Sequence, residues 1–278
     1  MLRLPFVGPY DWSLALRMIG AHAVPGAERS DPSSGAYTRL LAGPTGPVAV
    51  AVRPGRDAII VETPDASVAG RIRHWLDLDL DPTEAASRFQ VDGTLGPLVR
   101  RRPGLRRIRY PQTFEAVVST VLGQQVSLAA ARTFAGRLTA AYGTPGPQGL
   151  TAFPTAGQVA QADPSELQRT LGVTGARART LHAVAELFAA DGDWPVPLPE
   201  QEWDAGAARL LALPGIGPWT VAYLRMRLFG DPDVVPVGDL VLRRALGLTK
   251  DRDVAPATER WRPERTYATF HLWASTAW

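Results

Sequence analysis

The sequence predicts an α+β N-terminal domain followed by a mostly α-helical core. Three observations carry this. Two short runs rich in β-branched residues, Val48–Val52 and Ala58–Val61, flank the turn chemistry of Pro54-Gly-Arg-Asp57. From about residue 112 apolar residues recur at helical spacing in one segment after another. Leu213-Pro-Gly-Ile-Gly-Pro-Trp219 then joins two of those segments through a tight glycine turn.

Taken in order, Pro25–Ser34 and Gly43–Pro47 read as loops around the strand runs. Val68, Ile72, Trp75 and Leu76 mark one amphipathic helix, and the first unit closes near residue 88. Phe114, Val117, Val118, Val121, Leu122 and Val126 share a helix face. Leu128, Ala131, Phe134, Leu138 and Tyr142 mark the next helix, which Thr144-Pro-Gly-Pro147 ends. Asp163-Pro-Ser-Glu166 combines an N-cap, an N1 proline and an N3 acid, a helix start. Leu181, Val184, Ala185 and Phe188 mark a helix that stops before Pro195–Pro199. Trp203, Ala207, Leu210 and Leu211 lead into the glycine turn, and a last helix is expected over 263–276.

The 278 residues are 45% apolar, enough to bury a sizeable core. No apolar run reaches the roughly 18 residues of a membrane span, and Met1 to Tyr10 lacks the apolar stretch of a secretory signal. Cysteine is absent, which excludes disulfides and cysteine-held zinc or iron–sulfur centres. Four scattered histidines do not make a histidine-rich metal site. A cytoplasmic protein that needs no cofactor is the expectation. The formal charge is +3, and of 30 basic residues only Lys250 is a lysine. Arginine suits bidentate contact with phosphate, although a coding bias toward arginine leaves the same trace. Composition thus permits a nucleic-acid partner without demanding one.

Within the glycine turn, Gly215 and Gly217 can take positive φ without a Cβ clash, and Pro218 suits the first position of a helix. Backbone N–H groups at that helix start, with the dipole behind them, form an anion site. A phosphate held there is gripped without sequence preference. A plain αα-hairpin with a glycine cap has the same local chemistry. Further on, Asp239 in Pro236-Val-Gly-Asp239 precedes the run Leu240–Ala245. An N-cap is the ordinary role for aspartate in that place. Trp219, Ala222, Tyr223 and Met226 form a stripe that core packing alone would explain.

Leu213–Trp219 with the later Gly238-Asp239 resembles the helix-hairpin-helix glycosylase superfamily. Pro9-Tyr-Asp-Trp12, Arg102-Pro-Gly-Leu-Arg106, Leu122-Gly-Gln-Gln-Val-Ser127 and Tyr267-Ala-Thr-Phe-His-Leu-Trp273 narrow the resemblance to the bacterial DNA-3-methyladenine glycosylase II family. They stand in the same order over nearly the whole chain. The resemblance implies a two-lobed glycosylase core behind the N-terminal domain of residues 1–88. Residues 113–230 would carry the helix-hairpin-helix, and 89–112 plus 231–278 the second lobe with the catalytic acid.

The same resemblance implies site roles. Asp239 would be the carboxylate that stabilises an oxocarbenium-like sugar. Trp219, Tyr223, Trp273 and Gln124 would line a pocket that holds a cationic alkylated purine by stacking and cation–π attraction. Gly215, Ile216, Gly217 and Thr220 would anchor a phosphate. Gln125 would probe the duplex as the base is extruded, where the best-known family member has leucine. Glutamine can bond to base edges but forgoes the apolar unstacking contact. The backbone carbonyls of Leu211, Leu213 and Ile216 would hold a structural Na⁺ or K⁺. Members of the superfamily that also cut the strand carry a lysine where Trp219 stands, for Schiff-base chemistry. Hydrolytic release of the base, leaving an abasic site, is therefore expected. The implied function is base-excision repair of 3-methyladenine and other N-alkylpurines in double-stranded DNA, by a monomer without an obligate protein partner. His22, His74, His182 and His271 are expected to be structural. Two readings stay open beside this one. A non-catalytic helix-hairpin-helix DNA-binding module would use Asp239 only as a cap. An oxidised-purine glycosylase would share the architecture, but the missing lysine counts against it.

Overall fold

The computed structural model describes residues 1–276. Five antiparallel strands form the N-terminal sheet: β1 Leu2–Pro5, β2 Glu28–Asp31, β3 Ala36–Gly43, β4 Gly46–Pro54 and β5 Ala58–Glu62. Their order is β1-β5-β4-β3-β2. Both expected strand runs are present, inside β4 and β5. Gly43 pairs with Gly46, so the expected loop there is a two-residue turn, Pro44-Thr45. Alternation along β4 turns Val48, Val50 and Val52 into the core.

The sequence reading of Pro25–Ser34 as a loop needs correction, because β2 lies within it. Glu28-Arg-Ser-Asp31 has no apolar residue to signal a strand. Its conformation is imposed by pairing, from Glu28 opposite Arg39 to Asp31 opposite Ala36. The sequence reading also passed over a helix at Trp12–His22. The Asp11 carboxylate caps it by accepting from the Leu14 N–H at 3.0 Å. It buries Trp12, Leu14, Ala15, Met18 and Ile19.

The remaining chain is helical apart from loops and a ribbon that pairs Thr144–Pro145 with Thr151–Ala152. Thr113–Gly123 buries the expected Phe114–Leu122 face. Leu128–Tyr142 is helical as expected, with Leu138 buried and Phe134 and Tyr142 packed against the same core, but Leu128 is exposed at its start and Ala135 and Thr139 share the buried face. Asp163 and Pro164 open the helix Pro164–Leu171 as expected. The hairpin helices are Glu200–Leu211 and Pro218–Leu224, and the last helix is Arg265–Thr276. No helix among the described residues is long and apolar enough to cross a membrane.

Two large cores organise the molecule. One joins the sheet (Val50, Val61), the helix Ala69–Trp75 and the C-terminal helices (Trp261, Tyr267, Phe270, Trp273). The other is mostly helical and gathers Val117, Val121, Leu138, Leu181, Trp203 and Leu224, with Val24 and Ala27 of the N-terminal segment packed into it. The N-terminal sheet and the C-terminal lobe therefore share one interior. Two segments singled out in the sequence hold that union together. Arg102 pairs with Asp11 at 2.8 Å, and the Asp11 N–H donates to the Gly104 carbonyl at 2.8 Å. Arg106 donates to the Pro9 carbonyl at 2.6 Å and lies over the Tyr10 ring. Pro9–Trp12 and Arg102–Arg106 thus clasp each other as scaffold, away from the cleft described next.

Candidate active site

A cleft of about 1170 Å³ opens between the two cores. The hairpin and the start of the helix Leu128–Tyr142 form one wall, and Asp239, Leu240 and Trp273 stand on the other.

The hairpin depends on one glycine for its shape. Gly215 has φ +85°, and a Cβ there would stand 2.2 Å from Thr180 Oγ1. That hydroxyl is fixed by donating to the Pro214 carbonyl at 2.8 Å. Gly217 differs from the sequence-based expectation. It has φ −115° and ψ 179°, an extended conformation open to any residue, and nothing lies within 4 Å of a Cβ placed on it. Its bare face looks into open space, which is room for an approaching group. Pro218 follows at the first helical position as expected. Because Trp219 and Thr220 lie in that first turn, their N–H groups have no carbonyl four residues back inside the helix.

Asp239 is both the cap and a wall of the cleft. Its Oδ1 accepts from the Leu242 N–H at 2.7 Å, capping the helix Leu240–Ala245. The same oxygen accepts from Trp273 Nε1 at 3.1 Å. Burial raises the carboxyl above the ordinary aspartate value. The N–H groups of Leu242, Trp273 and Val241, with a smaller contribution from the Trp219 indole, pull in the opposite direction. Trp219 Nε1 itself makes no hydrogen bond of good geometry with a described residue. The result is a half-buried carboxylate whose position is fixed by donors and whose charge is only partly compensated.

Three rings meet beside it. Trp219 stacks on Tyr223 with centroids 5.3 Å apart and planes at 25°. Tyr223 meets Trp273 at 5.9 Å and 45°. Phe270 backs Trp273 edge-on at 5.4 Å. Such a wall offers stacking area and π-faces to a flat ring, with a carboxylate at its edge.

Gln124 also lines the cleft, but its amide is engaged. Nε2 donates to the Gly215 carbonyl at 3.0 Å and to Thr220 Oγ1 at 2.9 Å. Arg177 donates to the Gln124 carbonyl. Thr220 is 2% exposed, so its hydroxyl is spent inside the protein and only its N–H can serve a phosphate. The anchoring role expected of Thr220 would therefore fall to its backbone. Gln125 is exposed at the rim with φ +55°, a left-handed conformation uncommon for glutamine. Ile216 is buried beneath the hairpin, and Leu211 and Leu213 close the preceding helix.

Sequence reasoning missed part of the lining. His22, Tyr110, Arg227, Leu128 and Leu240 all face the cleft. His22, expected to be structural, also lines the cleft, donating through Nδ1 to the Met18 carbonyl at 2.9 Å. Burial first, and Arg227 second, push its pKa down to about 4, so it is neutral at pH 7. His271 keeps its structural place, packed edge-on against Tyr267 inside the first core. Arg227 carried one readable signal, the i, i+4 series Trp219, Tyr223, Arg227. Among the described residues no cluster of three or more His, Cys, Asp or Glu is placed to hold a metal.

Comparison with known proteins agrees with this geometry. The AlkA N-terminal domain family matches residues 1–114, and the HhH-GPD superfamily base excision DNA repair protein family matches residues 118–263. DNA-3-methyladenine glycosylase 2 of Escherichia coli is 31% identical over 100% of this chain and 98% of its own length. The probable bifunctional transcriptional activator/DNA repair enzyme AlkA of Mycobacterium tuberculosis is 40% identical over 99% of this chain. The chain spans 56% of that relative's length. Among solved structures, the 3-methyladenine DNA-glycosylase from Archaeoglobus fulgidus superimposes with a TM-score of 0.81 at 22% identity, covering 99% of this chain and 98% of the other. With its glycine hairpin, its capping acid and matches over both halves, this chain belongs to the HhH-GPD superfamily of base excision DNA repair proteins.

Proposed function

We propose that this chain is a DNA glycosylase that extrudes damaged bases from double-stranded DNA and releases them by hydrolysis. Its principal substrates are 3-methyladenine and other N-alkylpurines, and its product is an abasic site. One observation carries the reading: Asp239 faces a cleft walled by Trp219, Tyr223 and Trp273, its carboxylate gripped on one oxygen by fixed donors. As the N-glycosidic bond breaks, its electron pair leaves with the base and positive charge grows on the sugar. The Asp239 carboxylate lies where it stabilises that charge and orients the attacking water. Water oxygen bonds to C1′, one proton stays on the new hydroxyl, and the other leaves to solvent. A cationic N-alkylpurine departs neutral and needs little acid assistance. The aromatic wall holds it by stacking and cation–π attraction.

Gly217 and the first-turn N–H groups of the following helix serve as the phosphate anchor, and Gly215 and Ile216 shape it. Gln125 probes the duplex from the rim. Its left-handed backbone supports this, since strained residues cluster where a fold positions a functional group. The carbonyls of Leu211, Leu213 and Ile216 are oxygen donors that suit a Na⁺ or K⁺ at the hairpin. Trp219 stands where a Schiff-base lysine would be needed, which favours base release without strand cleavage. We retain 1–88, 113–230 and 89–112 plus 231–278 as the working units.

The test is chromatographic analysis of bases released from alkylated duplex DNA. The wild-type chain is expected to release N-alkylpurines without cutting the strand. Asp239→Asn is expected to abolish release while binding to an abasic-site duplex survives. Near-normal turnover in that variant would overturn the assignment. Binding without release by the wild-type chain would favour the DNA-binding module.

A further inference from the structure

Past the three rings, the cleft holds a cation that the reading above does not use. Arg227 lines the cleft yet is 4% exposed. It lies in a π-helical turn, Arg225–Phe229, whose wider winding is closed by the Gly230 N–H donating to the Arg225 carbonyl at 2.9 Å. Two carbonyls of that turn bond elsewhere: Arg227 O accepts from the Tyr110 N–H at 2.8 Å, and Leu228 O accepts from His74 Nε2 at 2.6 Å. The turn is thus pinned from outside, and π-turns of this kind recur at functional sites.

The guanidinium is surrounded by rings and has no counter-ion among the described residues. It lies 5.1 Å from the Tyr110 centroid, 5.6 Å from Tyr223 and 5.7 Å from Phe270. Nη1 donates to the Tyr223 hydroxyl at 3.1 Å, and Nε has no hydrogen-bond partner among the described residues. No carboxylate among them comes within ion-pair distance of it. Glu115, on the facing helix Thr113–Gly123, is committed to Arg39 at 2.5 Å and Gln112 at 3.0 Å. Glu28 holds the other side of Arg39 at 2.9 Å. Of the cleft's own acids, Asp251 is paired with Arg243 at 2.6 Å, and Asp239 is the remaining one. His22, the nearby titratable group from the N-terminal helix, is neutral. A buried guanidinium with five donors and so few acceptors calls for an acceptor from outside.

We propose that Arg227 is a specificity-determining residue that reads hydrogen-bond acceptors on an extruded base and favours uncharged lesions relative to cationic ones. The proposal rests on the glycosylase reading above. When an uncharged purine leaves, the bond's electron pair turns it into an anion, with charge spread over ring nitrogens and any carbonyl oxygen. Water supplies the sugar hydroxyl, and its second proton ends on the departing base. Arg227 stabilises that anion by hydrogen bonds and charge before the proton arrives. A cationic base gains nothing from this, because it departs neutral. Before the bond breaks it also faces a like charge, and Arg227 already occupies a π-face of Tyr223. The aromatic wall and Arg227 therefore act in opposite directions, and their balance sets the range of lesions.

The experiment compares single-turnover release of hypoxanthine and of 7-methylguanine from matched duplexes by the full chain and by Arg227→Met. The variant is expected to lose about tenfold or more on hypoxanthine while 7-methylguanine release holds or rises, as expected for removal of one low-dielectric charge interaction. Equal losses on both bases would show a structural role and overturn the proposal. So would a wild-type chain that releases 7-methylguanine but no hypoxanthine. Release of neither base would bring down the glycosylase reading itself. Should Arg227→Met show no melting transition, Arg227→Lys decides. It keeps the charge and loses the planar fork, so the ratio is expected to move the same way by a smaller factor, and an unchanged ratio overturns the proposal.

Discussion

In the proposed mechanism Asp239 is one side chain meeting two demands at once. The cap bond from Leu242 fixes its rotamer, and the indole of Trp273 fixes its charge toward the cleft. The two roles that sequence reasoning set against each other are compatible, because the cap is what aims the acid. A pH dependence follows. The raised carboxyl is protonated at higher pH than an ordinary aspartate, so the acid limb of the pH–rate profile is expected above the usual aspartate value. Trp273→Phe keeps a ring and deletes the donor. It is expected to shift that limb to still higher pH and to lower the plateau rate about tenfold, the order of a hydrogen bond to a charged group. A profile that stays in place would separate the indole from the acid. The cap at Asp239 and the stripe of Trp219 and Tyr223 were legible in the sequence because capping chemistry and helical stripes are local, whereas their site roles came only from the family resemblance. Arg227 was not, because its meaning lies in what fails to pair with it across the fold.

At the scale of the element, the hairpin separates two glycines that look alike in the sequence. Gly215→Ala meets both a positive φ and the fixed Thr180 hydroxyl, and is expected to cost about 1–3 kcal/mol of stability. Gly217→Ala meets neither, and is expected to leave stability within about 1 kcal/mol of the wild type or slightly above it. Its methyl would stand where a phosphate approaches, so affinity for an abasic duplex is expected to fall. Thermal melts and duplex titrations check the split; loss of stability without loss of affinity in Gly217→Ala would remove the anchor from that face. The Leu213–Trp219 motif announced the turn but not this division of labour. Nor could it show Gln124 holding Thr220, a bond between residues far apart in the chain. The strand β2 escaped notice for a related reason, since its partner and not its own residues makes it a strand.

Across the whole molecule, the cleft is a seam between two cores, and Asp77, between Leu76 and Leu78 of the first core, centres a buried ion-pair group. Asp77 is 3% exposed and pairs with Arg109 at 2.5 Å and Arg107 at 3.3 Å. Burial alone would raise its carboxyl, but Arg107 and Arg109 outweigh this and hold it below the ordinary value. A lowered folded value means the pairing stabilises above the ordinary aspartate range and is lost as pH falls through the folded value. Asp77→Asn strands two buried cations and is expected to cost about 3–5 kcal/mol near neutral pH, read from denaturant midpoints, with a smaller deficit in acid. A deficit independent of pH would point to packing. The division into a sheet-bearing start and a helical remainder could be read along the chain. That the last helix returns to the sheet's interior could not, because Trp261, Tyr267 and Phe270 meet Val50 and Val61 only in three dimensions.

That return has a consequence for the acid. The helix Arg265–Thr276 is anchored in the sheet's interior at one end and steadies Asp239 at the other. Loosening the strands is therefore expected to slacken the acid, so that a change in the sheet is felt at the carboxylate.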